Sequence, residues 1–337
     1  MTRLARRSPA ASIWLRHALA AHLDALAEVA LDVAMETGDP AGLVLAKALE
    51  ESATDERVET LYGLFGGDGR YSESVPLREV ALVVTTKKVA LQRDRAALPP
   101  DALRPELAGA LNNLSISLAD LGRREEALAA IDEAAKLYRD LAASRPDAFR
   151  PNLATSLNNL SVRLGHLGRR EEALAAIEEA VELRRELAAS RPDAFKPDLA
   201  TSLNNLSNCL GDLGRREEAL AAIDEAAKLH RELAASRPDA FRPVLAMSLN
   251  NLSNRLSDLG RREEALAGAK EAVRILTPHF KGHPEAFREW MKIAVGTYAE
   301  LVEQPGSADD PDLDAILRTL EPGNSTGTSE EAGRQRR

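Results

Sequence analysis

Residues 151–196 read PNLATSLNNLSVRLGHLGRREEALAAIEEAVELRRELAASRPDAFK, and the spacing inside this stretch decides the fold. Leu153, Leu157, Leu160, Leu164 and Leu167 alternate steps of four and three, one apolar stripe along a helix. Gly168 follows where a helix C-terminus asks for a residue with φ > 0. Glu171 and Glu172 then fall in the first turn of a second helix and complement its dipole. Ala173, Ile177, Ala180 and Leu187 carry the buried seam to about Ala189. Ser190 and Asp193 have capping-box spacing, and Pro197 would break a long helix. Residues 190–196 are therefore predicted as a short helical turn before the next hairpin.

This stretch is one copy of a tandem unit. Leu-Asn-Asn-Leu-Ser begins at Leu111, Leu157, Leu203 and Leu249, 46 residues apart each time. Gly-Arg-Arg-Glu-Glu-Ala-Leu starts at Gly122, Gly168, Gly214 and Gly260, and Pro-Asp-Ala-Phe at Pro146, Pro192 and Pro238. Weaker copies of the last motif start at Pro100 and Pro284. A single hairpin cannot bury its own face, so each copy leans on its neighbours.

The unit resembles the tetratricopeptide repeat, in the longer variety of kinesin-light-chain-like arrays. Ser161, Ala173 and Ala180 match the family's small positions; Leu157, Leu160, Leu164 and Ile177 match its large ones. Gly168 matches the turn glycine, and the Leu-Asn-Asn-Leu opening belongs to the long variety. Two departures are the replacement of the usual aromatics by Leu and Ile, and the unit length of 46. The resemblance implies an all-α, right-handed α-solenoid of helix-turn-helix repeats that binds protein or extended peptide. Residues 1–76 read as a helical N-terminal cap or small helical domain, and 77–280 as the array, with full repeats starting near 107, 153, 199 and 245. Residues 281–304 read as a capping helix, and 305–337 as a short helix and disordered tail.

Composition agrees with packed helices. Of the 337 residues, 44% are hydrophobic, 29% charged and only 4% aromatic. A net charge of −9 without a large basic block argues against nucleic acid as partner. The single cysteine, Cys209, excludes a disulfide framework and a multi-cysteine metal site. Arg16 and His17 interrupt the apolar run at Ile13-Trp14-Leu15, so no signal-peptide core forms, and no stretch approaches the ~20 apolar residues of a membrane span. The expectation is a cytoplasmic protein without membrane contact.

At the N-terminus Leu15, Leu19, His22, Leu26, Val29 and Val33 form one stripe, with His22 expected in a core. At the other end Pro278 is expected to interrupt the fourth second helix.

Catalytic motifs fail on context. Gly323-Asn324-Ser325-Thr326-Gly327 fits a hydrolase elbow but lacks the strand-to-helix setting. Asp310, Asp312, Asp314 and Glu321 have calcium-loop spacing, but Ala315 holds the glycine position. Gly66-Gly67-Asp68-Gly69 has no basic partner at phosphate-loop spacing. Cys209 shares its column with Ser117, Arg163 and Arg255, so that column is expected to face solvent. No enzyme activity, cofactor or metal is expected.

The first helix of each hairpin offers the candidate binding face. One column is Asn112, Asn158, Asn204 and Asn250; the next is Ile116, Val162, Asn208 and Asn254. An amide both donates and accepts, so an open asparagine column can hold an extended backbone. The resemblance places peptide contacts on this concave face, and the lack of Lys and Arg in these columns departs from the carboxylate-clamp type. The leading function is a non-catalytic protein- or peptide-binding scaffold. Its rivals are a sensor or regulatory arm for a separate signalling ATPase or protease-type effector, and an enzyme with its site in 1–76.

Overall fold

The computed structural model describes residues 41–65, 75–96 and 104–302, with isolated positions among 18–31. Among these residues every regular element is an α-helix. Three helices lead: α1 (Ala41–Ser52), α2 (Asp55–Phe65) and α3 (Val75–Ala96). Four hairpins follow, each a helix A and a helix B: α4 (Arg104–Asp120) with α5 (Arg124–Ser144), α6 (Pro146–His166) with α7 (Arg170–Ser190), α8 (Pro192–Asp212) with α9 (Arg216–Ser236), and α10 (Pro238–Asp258) with α11 (Arg262–Gly282). The last described helix is α12 (Pro284–Val302). The chain divides into two compact units, Met1–Leu183 and Arg184–Arg337. In the first unit α3 packs on α1, α2 and α4, α4 on α5 and α5 on α6; in the second, α8 to α12 pack each on the next.

The turn from A to B is the same in every hairpin. Gly122, Gly168, Gly214 and Gly260 have φ of 74°, 73°, 75° and 73°, as the sequence requires of them. Gly168 N donates to Gly165 O, and Arg169 N to Leu164 O, the paired bonds that satisfy a helix's last carbonyls. The arginine before each helix B then forks onto the glutamate three residues later, as Arg169 does onto Glu172 at 2.7 and 2.5 Å.

The turn from B to the next A differs from expectation. Helix A begins at Pro146, Pro192 and Pro238 and runs without a break through Pro151, Pro197 and Pro243. No capping box forms. Ser190 Oγ donates back to Leu187 O at 2.8 Å, and Arg191 caps the next helix without a side-chain bond. Proline at the first helical position loses nothing, because that N–H has no helical partner. Pro197 withholds a hydrogen bond only from the carbonyl of Asp193, an exposed residue that water reaches. The Arg191 guanidinium lies 4.8 Å over the Phe195 ring, as Arg145 lies over Phe149 and Arg237 over Phe241. Pro278 likewise sits inside α11 and does not interrupt it, since the carbonyl it would have met belongs to exposed Arg274.

Packing follows the small and large positions. Leu111, Ile131, Leu157 and Ile177 are fully buried in the first unit, and Leu203, Ile223 and Leu249 in the second. Ala134, Ala180, Ala226 and Ala272 have no exposed surface, so the neighbouring helix meets them directly. The same position in α3 is Lys88, buried where the shorter α2 leaves room; it pairs with Glu59 and lies over the Tyr62 ring. α3 nonetheless stands in helix-B register. Its Arg93 binds Glu133 of α5 at 2.6 Å, as Arg139 of α5 binds Glu179 of α7 at 2.7 Å. Arg185–Glu225 and Arg231–Glu271 repeat this contact in the second unit.

The N-terminal core gathers Ala27, Leu31, Leu45, Leu49, Leu61, Leu77 and Val80. The stripe read through His22 and Val29 is wrong at both positions, for both are exposed and the inward face is that of Ala27 and Leu31. The Gly66–Gly69 loop, the calcium-like and elbow-like strings and the C-terminal tail lie outside the described residues. No described helix is long and apolar enough to cross a membrane.

Candidate functional site

Adjacent residues on a helix point about 100° apart, so the two asparagines of Leu-Asn-Asn-Leu cannot share one face. In the first unit Asn112 Oδ1 accepts from Asn159 Nδ2 of the next helix A at 3.2 Å. In the second unit Asn204 Oδ1 accepts from Asn251 Nδ2 at 3.4 Å, while Asn204 Nδ2 donates to Ser248 Oγ at 2.9 Å. Within each unit the first asparagine of one helix A thus accepts from the second asparagine of the following one. Where no repeat precedes, Asn113 Nδ2 donates to the Tyr62 hydroxyl of α2 at 2.7 Å.

This arrangement corrects the reading of the first column as open. Asn158 is only 8% exposed and Asn250 1%; Asn112 and Asn204 are half-buried and engaged in the ladder. Asn112 and Asn204 are satisfied by their neighbours before any ligand arrives, whereas Asn250 Oδ1, in the last helix A, is buried without a hydrogen-bond partner. The second column behaves differently. Ile116 is 40% exposed, Asn208 is exposed, and Val162 and Asn254 are half-buried. Beside them Thr155 and Thr201 are exposed, their hydroxyls turned back to the carbonyls of Pro151 and Pro197 at 3.1 Å. Exposure on this face of helix A is therefore greatest at Ile116 and Asn208, four residues further along than Asn112 and Asn204.

The Cys209 column does not face solvent as expected. Ser117 is buried, and Arg163, Cys209 and Arg255 are half-buried between neighbouring helices. Burial, with Asp212 nearby, pushes the Cys209 thiol up to about 11, so it is an unreactive thiol at neutral pH. Burial also lowers the Arg163 pKa, against the pull of Asp120. Arg255 pairs with Asp258 at 3.3 Å and lies so close to Gly211 that a Cβ there would sit 1.8 Å from Nη1. Gly211 is the space that guanidinium occupies. His166 is held below its usual pKa by burial, then by Arg163 and Arg124. Among the described residues no three His, Cys, Asp or Glu side chains could hold a metal ion.

Two sets of residues escaped sequence reading. One is the second asparagine of each pair, whose signal was the invariant doubling at a fixed period. The other is a column on helix B where the near-identical copies differ: Tyr138, Arg184 and His230, all buried. Each reaches the following helix A. Tyr138 meets Asn152, Arg184 Nη1 donates to Asp198 O at 2.8 Å, and His230 Nδ1 lies 2.7 Å from Ser248 Oγ. Burial drives the His230 pKa down to about 4, so the ring is neutral at pH 7 and shares a hydrogen bond with the serine hydroxyl.

Family comparison agrees with the geometry. Two tetratricopeptide repeat models match, one over residues 106–186 and the other over 199–236 and 245–285. No curated protein matches the sequence. Among solved structures, BtubC (BKLC) from P. vanneervenii superposes with a TM-score of 0.50 at 18% identity, covering 75% of this chain and 96% of that one. The apo form of RapI gives 0.50 at 13% identity, covering 83% and 72%. Nearly identical kinesin-light-chain TPR-like repeats from Podosopora anserina give 0.49 at 17% identity, covering 67% and 96%. The matched segments, residues 106–186, 199–236 and 245–285, are tetratricopeptide repeats, similar to the long kind of kinesin-light-chain-like arrays.

Proposed function

We propose that this protein is a non-catalytic scaffold that holds a protein segment or extended peptide along the helix-A face. One observation carries the reading: Asn112 and Asn204 spend their amides on the next helix A, while in the column beside them Ile116 and Asn208 are exposed and Val162 and Asn254 make no such bond. Asn208 and Asn254 offer neutral donors and acceptors, which suit a peptide backbone. Ile116 and Val162 offer apolar surface, which suits an aliphatic side chain. Asn112, Asn158, Asn204 and Asn250 then act from behind, fixing the spacing of the helices that present this column. The absence of catalysis is part of the same proposal. It is supported by His230 and Cys209, whose pKa values are moved chiefly by burial and not by a catalytic partner.

The test is to capture partners on the immobilised full chain and measure affinity for Ile116→Asp/Val162→Asp and for Asn208→Arg/Asn254→Arg. At least about tenfold weaker binding is expected from each pair, with the unfolding midpoint nearly unchanged. Full affinity in both variants would remove the helix-A face from consideration.

A further inference from the structure

The helix-B side carries a second feature that the helix-A reading does not use. In the first unit an open slot of about 520 Å³ lies between α5 and α7, floored by Leu128, Leu160 and Leu164. Ala129 and Ala175 flank it and are exposed, and the three floor leucines keep only 5–8% of their surface open. An ion pair closes each end: Arg139 with Glu179 at 2.7 Å, and Arg169 with Glu172 at 2.5 Å. Four carboxylates line the slot against two guanidiniums, and both guanidiniums are held in those end pairs. Asp132 is held by Lys136, which leaves Glu125 at the rim without an ion pair among the described residues.

Most of this lining recurs in the sequence of the second unit, with Gly268 in the place of Ala176. Glu217, Ala221, Leu252, Leu256 and Ala267 stand 92 positions after Glu125, Ala129, Leu160, Leu164 and Ala175. Arg231–Glu271 and Arg261–Glu264 supply the two end pairs, at 3.2 and 2.6 Å. A slot with an aliphatic floor, closed ends and an acidic rim takes an aliphatic side chain whose neighbours are cationic. The chain's net charge of −9 favours approach of such a segment.

We propose that these helix-B slots are a second docking surface, for a short basic segment of a partner protein that inserts a leucine-like side chain between flanking lysines or arginines. The segment lies outside the helix-A face, so one array engages two partners, or two parts of one partner, at once. The probe is a fluorescein-labelled decapeptide of alternating lysine and leucine, with a lysine–serine decapeptide of equal charge beside it. Binding to the full chain is read by fluorescence anisotropy. The leucine peptide is expected to bind at least about tenfold tighter than the serine peptide, and Ala175→Arg/Ala267→Arg to abolish that advantage. Glu125→Gln/Glu217→Gln should weaken the leucine peptide by about threefold or more. Glu178→Gln/Glu182→Gln removes the same charge from exposed positions outside the slot and should leave affinity unchanged. Equal affinity for the two peptides, or equal weakening by the two Glu→Gln pairs, would show attraction to net charge alone and overturn the proposal. So would loss of the leucine peptide on Asn208→Arg/Asn254→Arg but not on Ala175→Arg/Ala267→Arg, which would place it on the helix-A face.

Discussion

His230 is the residue whose chemistry is most altered by the fold. Its pKa falls from an ordinary 6.5 to about 4 because the folded chain surrounds it with protein. Between those two values the unfolded chain binds a proton that the folded chain refuses. Stability is therefore complete above pH 6.5 and declines as pH falls towards 4, by on the order of 3 kcal/mol in all. Urea unfolding at pH 7 and pH 4.5 should show this loss in the wild type and much less of it in His230→Leu, which borrows the residue at Leu276. Equal losses in both proteins would mean that the imidazole is not the titrating group. The asparagines divide by the same logic of burial. Asn204→Ala breaks bonds to Ser248 and Asn251 and should cost about 1–3 kcal/mol, whereas exposed Asn208→Ala should stay within about 0.5 kcal/mol. Denaturant midpoints for the two single variants check the contrast. The sequence placed all these asparagines on helix A correctly. It could not tell a self-satisfied amide from an open one, because that depends on whether the next copy's amide comes within about 3 Å.

At the scale of the element, periodicity made helix and turn legible while proline misled. The stripe from Leu153 to Leu167 and the positive φ of Gly168 follow from spacing and from glycine's lack of a Cβ. Pro197 looked like a breaker because the rule counts a lost hydrogen bond without asking whether water replaces it. Near a helix start, beside an exposed carbonyl, water does. Ala180, with no exposed surface, marks where neighbouring helices come closest, and Ala180→Leu should destabilise by about 1–3 kcal/mol through overpacking. The column of Tyr138, Arg184 and His230 makes nearly identical hairpins distinct. Arg184 faces the backbone and charge of Asp198, whereas the residue in that place before His230 is Val244. Exchanging the two, as Arg184→His with His230→Arg, keeps composition constant and should lower stability by a few kcal/mol, since the buried guanidinium loses its carboxylate. Wild-type stability in the exchanged protein would show that the column does not key each helix to its neighbour.

At the scale of the whole molecule, the residues that build the repeats are distinct from those the repeats present. Within each unit leucines, alanines and the asparagine bonds set the distance between successive helices, and stability passes from neighbour to neighbour. In the proposed function the Ile116, Val162, Asn208 and Asn254 column is what a partner meets. The repeat itself was legible because self-similarity needs no knowledge of contacts. The division between ladder and open column was not, because both columns carry amides with the same period. Thiol labelling measures that division directly. Cysteine is placed singly at Ile116, Asn208 and, as a reference, Glu182, in a chain carrying Cys209→Ser, and maleimide labelling is timed with and without a partner captured by the wild type. The account predicts slowed labelling at positions 116 and 208 and unchanged labelling at 182. Equal rates with and without partner at both helix-A positions, under conditions where the complex stays intact, would contradict it.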